Sequence, residues 1–153
     1  MTFMSTSPAV ELDRNEKTPH MNLFVWTDAL ATGSKFIDED HHELVLRVNA
    51  VLEAIAQKQS SHSLKVTLND LVSFTRAHFD REEAEMRRIA FKNTDVHMAE
   101  HARLLVQIDE VRGQLHADQD IRQMELYQFL TWWVKDHIRL VDMELATALQ
   151  EFR

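Results

Sequence analysis

The stretch TDVHMAEHARLLVQI (residues 94–108) places His97 and His101 four positions apart, and Leu104 and Ile108 continue that spacing. Residues at this spacing lie on one face of an α-helix, and the two apolar side chains indicate that this face is buried. The stretch therefore predicts a helix that directs two imidazoles into a hydrophobic core.

The rest of the chain has the composition of long helices. Only two glycines and two prolines occur among 153 residues, and both prolines lie in the first twenty. Ala, Leu, Glu, Gln and Met, which favour helices, are common. We expect one all-α domain at residues 21–153, preceded by a loose polar tail at residues 1–20.

Charge and cysteine content exclude several classes of protein. The formal net charge is −8, and the 17 Lys and Arg residues form no stripe, so we expect no nucleic-acid partner. The absence of cysteine excludes disulfides, thiolate zinc sites and iron–sulfur clusters. No apolar run approaches the roughly 18 residues of a membrane span, and no secretion signal is visible. We therefore expect a cytoplasmic protein without membrane insertion.

Four apolar stripes of helical period predict four helices. They run from about Phe36 to Lys58, Leu64 to Arg88, Thr94 to His116, and Ile121 to the end. Because the connections are short, consecutive helices should be antiparallel neighbours. The predicted architecture is an up-down-up-down four-helix bundle with an extended N-terminal arm, anchored by Phe24 and Trp26 and turning at Gly33.

Each predicted helix carries a histidine on its apolar stripe: His41, His78, His97 with His101, and His137. In antiparallel helices, two residues equidistant from the connection lie at the same height. The midpoint of His41 and His78 falls in the break at 57–63, that of Glu82 and His97 at 88–93, and that of His101 and His137 at 116–120. One buried histidine is usually an ordinary core residue, but four helices with histidines at one height predict a shared site.

Carboxylates accompany these histidines. Glu82 follows His78 at i+4, on the same face. After His137, Asp142 at i+5 is rotated by roughly 140° on an ideal helix and needs a widened turn, whereas Glu144 lies about 10.5 Å along the axis. The spacing favours Asp142 and leaves Glu144 open. Five imidazoles and two carboxylates indicate a first-row metal site, with iron or zinc as candidates, and seven ligands suit two ions bridged by the carboxylates.

Four motifs in this order resemble the hemerythrin family, in its single-domain bacterial form. They are IDEDHHEL (37–44), HFDREE (78–83), HMAEH (97–101) and HIRLVD (137–142), and the resemblance runs from Trp26 to the C-terminus. It implies two non-haem iron ions with an oxo or hydroxo bridge. The resemblance assigns His97, His101 and His137 to one iron, His41 and His78 to the other, and Glu82 and Asp142 to both.

The implied ligand count leaves one open position, at the iron of His41 and His78. The resemblance therefore implies reversible dioxygen binding there, for oxygen carriage, storage or delivery rather than enzymatic turnover. Four apolar residues within a turn of the ligands are candidates for an oxygen pocket, although any bundle core would contain such residues: Phe74, Trp133, Val134 and Ile138.

Two positions depart from the family pattern. Asp40 stands where the family usually has Gln, and His42 stands where a basic residue is common. Since His42 lies 100° off the apolar stripe, we assign the ligand role to His41. Asp40 is expected to affect the surroundings of the ligands rather than the ligand set.

Other functions remain open at this point. A carboxylate-rich di-iron oxidase needs two Glu-x-x-His motifs, and only Glu39 to His42 matches. An oxygen or redox sensor, or a protein that handles peroxide or nitric oxide, would use the same ligands. The chain carries no output domain, which favours carriage by a monomer that delivers dioxygen to an unidentified oxygen-consuming recipient.

Overall fold

The computed structural model describes residues 11–12, 19–20, 24–116 and 123–152. Its elements are strands β1 (Glu11–Leu12) and β2 (Pro19–His20), a 3₁₀ turn (Asp28–Leu30), and helices α1 (Lys35–Ala56), α2 (Ser61–Arg88), α3 (Thr94–His116), α4 (Gln123–Trp132) and α5 (Met143–Glu151), with a π-helix (Trp133–Asp142) between α4 and α5. The last three segments are consecutive and form the fourth member of the bundle. The predicted all-α four-helix bundle is confirmed.

The tail at residues 1–20 lies mostly outside the described residues, so its looseness stays a prediction. Its described part is the antiparallel pairing of Glu11 with His20 and of Leu12 with Pro19. None of the helices in the described ranges combines the length and apolar character that crossing a bilayer needs.

Helices α1 and α2 end in the same way, although no glycine is present at either end. Lys58 (φ 51°) and Ala90 (φ 50°) adopt the left-handed conformation. The amide of the next residue then reaches back over the last turn, from Gln59 to the Ala54 carbonyl (3.0 Å) and from Phe91 to the Met86 carbonyl (2.9 Å). This is the Schellman ending, and it reverses the chain within a few residues.

The N-terminal arm fixes where α1 begins. The Phe24 amide donates to Asn49 Oδ1 (2.7 Å), Asn49 Nδ2 donates to the Phe24 carbonyl (2.8 Å), and the Phe24 ring is buried. In the first turn of α1, the Asp38 carboxylate accepts hydrogen bonds from the amide and hydroxyl of Thr32 (2.8 and 2.7 Å), across the turn at Gly33. These contacts confirm the predicted Phe24 anchor and Gly33 turn.

The buried apolar residues form two clusters. The larger one includes most of the predicted stripe residues, and the smaller one consists of Ile37, Met86, Leu145 and Ala146. On α1, His41 lies between Ile37 of the smaller cluster and Leu44 of the larger one, and in the fourth member of the bundle His137 and Asp142 lie between Val134 of the larger cluster and Leu145 of the smaller one. The bundle therefore has a polar layer between two apolar ones.

Candidate metal centre

The polar layer contains all seven predicted ligands. Each is buried, with 0% exposure for His41, His78, Glu82 and Asp142 and no more than 5% for His97, His101 and His137. Their ligand atoms form two groups, each with all atoms within 4.8 Å of one another: Glu82, His97, His101, His137 and Asp142 in one, and His41, His78, Glu82 and Asp142 in the other. The two carboxylates belong to both groups.

Glu82 divides its two oxygens between the groups. Its Oε1 lies 2.6 Å from His78 Nε2 and 3.7 Å from His41 Nε2. Its Oε2 lies 3.2 Å from His97 Nε2 and 3.1 Å from His101 Nε2. The i+4 spacing on α2 accounts for the contact with His78, because residues one turn apart share a helix face.

The two oxygens of Asp142 are also divided between the histidine groups. Its Oδ2 lies 2.7 Å from His41 Nε2, and its Oδ1 lies 3.0 Å from His97 Nε2 and 3.1 Å from His137 Nε2. The π-helix explains how an i+5 residue shares a face with His137, because its turns hold more residues than α-helical turns. Glu144, the alternative, is exposed and accepts a hydrogen bond from Asn93.

Several nitrogen and oxygen atoms of the layer are close together but form no hydrogen bonds with one another, as expected for atoms that bind cations. His78 Nε2 and Glu82 Oε1 are close, as are His137 Nε2 and Asp142 Oδ1, yet all four atoms are buried without a hydrogen-bond partner. Buried polar atoms without partners are rare and costly. A buried set of five imidazoles and two carboxylates is what first-row divalent or trivalent metals prefer.

The charges of the layer stabilise one another. Burial raises the pKa of the Glu82 and Asp142 carboxyls, but the surrounding imidazoles outweigh burial and hold both pKa values well below their usual range. Burial lowers the pKa of His97, whereas the nearby carboxylates of Asp142 and Glu82 raise it, and the result is a pKa of about 9. The carboxylates are therefore ionised and available to cations.

The two positions that depart from the family pattern have different surroundings. His42 is exposed and stacks on Trp26, with ring centroids 3.9 Å apart, so it points away from the layer. Asp40 Oδ2 accepts hydrogen bonds from His78 Nδ1 (2.9 Å) and Arg81 Nε (2.8 Å). Burial raises the Asp40 pKa, but these two donors outweigh it and lower the pKa.

The predicted pocket residues differ in placement. Trp133 and Val134 are buried in the larger cluster, and the side chain of Ile138 lies outside the described residues. Phe74 is only partly buried, and its ring lies under the guanidinium groups of Arg47 (4.2 Å) and Arg81 (5.5 Å).

Phe79 is the aromatic contact that the sequence analysis missed. Its ring is buried and stacks on His101, with centroids 3.7 Å apart and planes at 6°, and it also approaches His78 and His137. The spacing of Val72, Thr75, Phe79 and Met86 could have predicted that Phe79 faces the core, because these residues follow helical spacing and all are buried.

Comparison with known proteins agrees with this geometry. Residues 32–149 match the Hemerythrin HHE cation binding domain. Bacteriohemerythrin from Pseudomonas paraeruginosa is 29% identical over 82% of this chain and 81% of the relative, and bacteriohemerythrin from Methylococcus capsulatus is 28% identical over 80% and 93%. A crystal structure of wild-type hemerythrin superposes with a TM-score of 0.77 at 26% identity, covering 84% of this chain and 98% of that chain. Because the matched residues 32–149 make up most of the chain, the chain belongs to the hemerythrin family, whose members bind iron.

Proposed function

We propose that the chain holds two non-haem iron ions and binds dioxygen reversibly, for carriage, storage or delivery. In this proposal His97, His101 and His137 bind one ion and His41 and His78 the other. The observation that carries the proposal is the division of Glu82 and Asp142, each of which directs one oxygen to each histidine group. A carboxylate arranged in this way suits two neighbouring cations rather than one.

A reduced iron pair held by these residues would supply the two electrons that dioxygen needs for binding, and would recover them on release. The two groups differ in their number of imidazoles, because the group with His41 and His78 has one fewer than the other group. A metal bound by the smaller group would keep a coordination position free for dioxygen. We therefore place the oxygen-binding position beside His41 and His78.

The surrounding residues keep water and proton donors away. His41, His78 and both bridging carboxylates have no exposed surface, and Trp133, Val134 and Phe79 belong to the apolar cluster on one side of the layer. A dry, apolar wall suits reversible binding, because water and proton donors promote side reactions of bound oxygen. Trp133 and Val134, together with Phe74 and Ile138, are the proposed pocket residues.

The test is one optical cycle on protein with a measured iron content. The protein is reduced without air, exposed to air and then deoxygenated. We expect two irons per chain and a visible charge-transfer band that appears with air and disappears on deoxygenation. Immediate, irreversible oxidation in air would contradict reversible binding and favour sensing or the handling of peroxide or nitric oxide. A chain that takes up only one iron would contradict the bridging arrangement.

A further inference from the structure

Asp40 joins α1 to α2 at the edge of the metal centre. Its side chain is 16% exposed, and one oxygen, Oδ2, receives hydrogen bonds from both His78 Nδ1 (2.9 Å) and Arg81 Nε (2.8 Å). Both donors lie on α2, three residues apart, so they reach Asp40 from adjacent turns of the same face.

The hydrogen bond from His78 decides which of its nitrogens is free. An ionised carboxylate can only accept, so Nδ1 carries a proton, and in the neutral form of the ring that binds a metal the lone pair lies on Nε2. That Nε2 faces Glu82 Oε1 at 2.6 Å and Asp142 Oδ2 at 3.9 Å. The lone pair therefore points into the metal centre.

Three of the other four ligand histidines lack this support. Nδ1 of His41, of His101 and of His137 is buried without a hydrogen-bond partner among the described residues. The nearest carboxylate oxygen to His101 Nδ1 is that of Glu83, at 3.5 Å and outside hydrogen-bond geometry. His78 is thus distinguished from these three by an anionic partner.

We propose that Asp40 is a positioning residue for His78, and that its negative charge favours the more oxidised metal at the His41–His78 position. A carboxylate behind a ligand histidine fixes the ring and increases its electron donation to the metal. The inference rests on the proposed function, because it concerns the position where we place oxygen binding.

Arg81 has the opposite electrostatic role. Its guanidinium is 45% exposed and donates to the same Asp40 oxygen as His78 does. A cation at this point draws charge from the carboxylate and weakens its effect on His78. Removal of Arg81 should therefore change the metal potential in the direction opposite to removal of the Asp40 charge.

The test compares Asp40→Asn, Arg81→Gln and the control Glu39→Gln in the iron-loaded chain. Asn keeps an acceptor in the same place and removes only the charge. Glu39 is its neighbour on α1, and its pair with Lys35 is 4.0 Å long and exposed, so Glu39→Gln removes an equal charge without touching the centre. The measurements are the midpoint reduction potential and the rate of iron loss to a chelator, with circular dichroism to check folding.

For Asp40→Asn we expect a higher midpoint potential and loss of one of the two irons about 10- to 100-fold faster than in the wild type. Arg81→Gln should lower the potential, and Glu39→Gln should match the wild type. A folded, two-iron Asp40→Asn variant with wild-type potential and release rate would overturn the inference while leaving the proposed function intact. A shift of equal sign in Arg81→Gln and Asp40→Asn would overturn the charge argument.

If the wild-type chain took up no iron, the proposed function would fail by itself. The same variants would then be titrated with Zn²⁺ by calorimetry, which reports the support of His78 without redox chemistry. Weaker zinc binding in Asp40→Asn than in Glu39→Gln would support the positioning role, and equal binding would overturn it.

Discussion

At the scale of single residues, the metal centre depends on two carboxylates whose oxygens are not interchangeable. In Glu82, Oε1 faces one histidine group and Oε2 the other, so in the proposed two-iron centre each oxygen would bind a different metal ion. The neighbouring histidines hold the carboxyl ionised in spite of complete burial. In the proposed two-iron centre, each of the two carboxylates would therefore be needed in its ionised form and in one orientation.

Glu82→Gln should lower iron content from two per chain to one or none. The amide keeps the shape of the side chain but loses the charge and one ligand oxygen, which is costly in a buried site with few alternatives. Elemental analysis after gel filtration measures this. Asp80→Asn, an exposed change on the same helix, should keep two irons, and full iron content in Glu82→Gln would contradict the bridging role.

The metal-free protein should become less stable as pH rises from about 6.5 to about 9. His97 has a pKa of about 9 in the fold against 6.5 for the free side chain, so it binds a proton more tightly when folded. Its contribution is complete below pH 6.5 and lost as pH passes 9, and it amounts to about 3 kcal/mol. Urea unfolding of metal-free protein at pH 6 and pH 9.5 checks this sign.

His97→Gln serves as the comparison for this titration. The variant cannot bind the proton, so its unfolding free energy should fall less between the two pH values than that of the wild type. A wild-type stability that stays constant or rises over this range would contradict the prediction.

At the scale of helices, the π-helix links ligation to packing. It places Asp142 on the face of His137, and it also sets the rotation of α5, whose Leu145 and Ala146 are completely buried. One residue more or fewer in this segment would turn α5 by about 100°. The segment therefore serves the metal centre and the smaller apolar cluster together.

Deletion of Arg139 tests this link. In the deletion variant, His137 and the residue that is now Asp142 would be four positions apart and would still share a face of a normal α-helix. Leu145 and Ala146 would rotate away from the core. We expect a loss of about 3 kcal/mol in the free energy of unfolding and faster amide exchange in α5. Arg139→Ala, which preserves the length, should leave both unchanged, and a deletion variant as stable as the wild type would refute the link.

The two glycines predict opposite effects of the same substitution. Gly33 has a φ of 86°, a backbone conformation that strains any residue with a Cβ, so Gly33→Ala should destabilise by about 1–2 kcal/mol. Gly113 lies in α3 with nothing within 4 Å of an added Cβ, so Gly113→Ala should stabilise by about 0.5–1 kcal/mol. Thermal unfolding measures both, and equal shifts would contradict the argument.

Sequence patterns predicted the positions of the helices well, but they predicted the contacts between side chains less well. The bounds of α1 to α3 differ from the predicted ones by three residues or fewer, because polar breaks interrupt clear apolar stripes. The buried ring of Phe79 was missed, since apolar character alone does not set the rotation of a stripe. The Asp40–His78 hydrogen bond joins two helices through particular rotamers, which spacing along the chain does not specify.

At the scale of the whole molecule, the metal centre separates two apolar clusters. Among the described residues, the larger cluster has 19 buried members, whereas the smaller one has four. Without metal, the polar layer between them contains carboxylate oxygens and imidazole nitrogens that lack partners. Bound metal should therefore stabilise the whole fold and the small cluster most of all.

Removal of metal should lower the melting temperature and open the smaller cluster first. At a free metal concentration 100-fold above its dissociation constant, each independent site adds about 2.7 kcal/mol to the free energy of unfolding. Calorimetry with and without a chelator measures the total, and hydrogen exchange should lose protection in α5 before the middle of α2. Identical melting curves would contradict a structural role of the metal.

The order in which the ligands occur along the chain also limits when the centre can form during synthesis. His41 and Asp142, whose atoms meet in the centre, are separated by 101 residues. At about 5–20 residues per second, translation takes roughly 5–20 s to cover that distance. In the proposed two-metal centre both positions use Asp142, so neither would be complete before that residue has been made, and until then the nascent helices would offer only incomplete ligand sets.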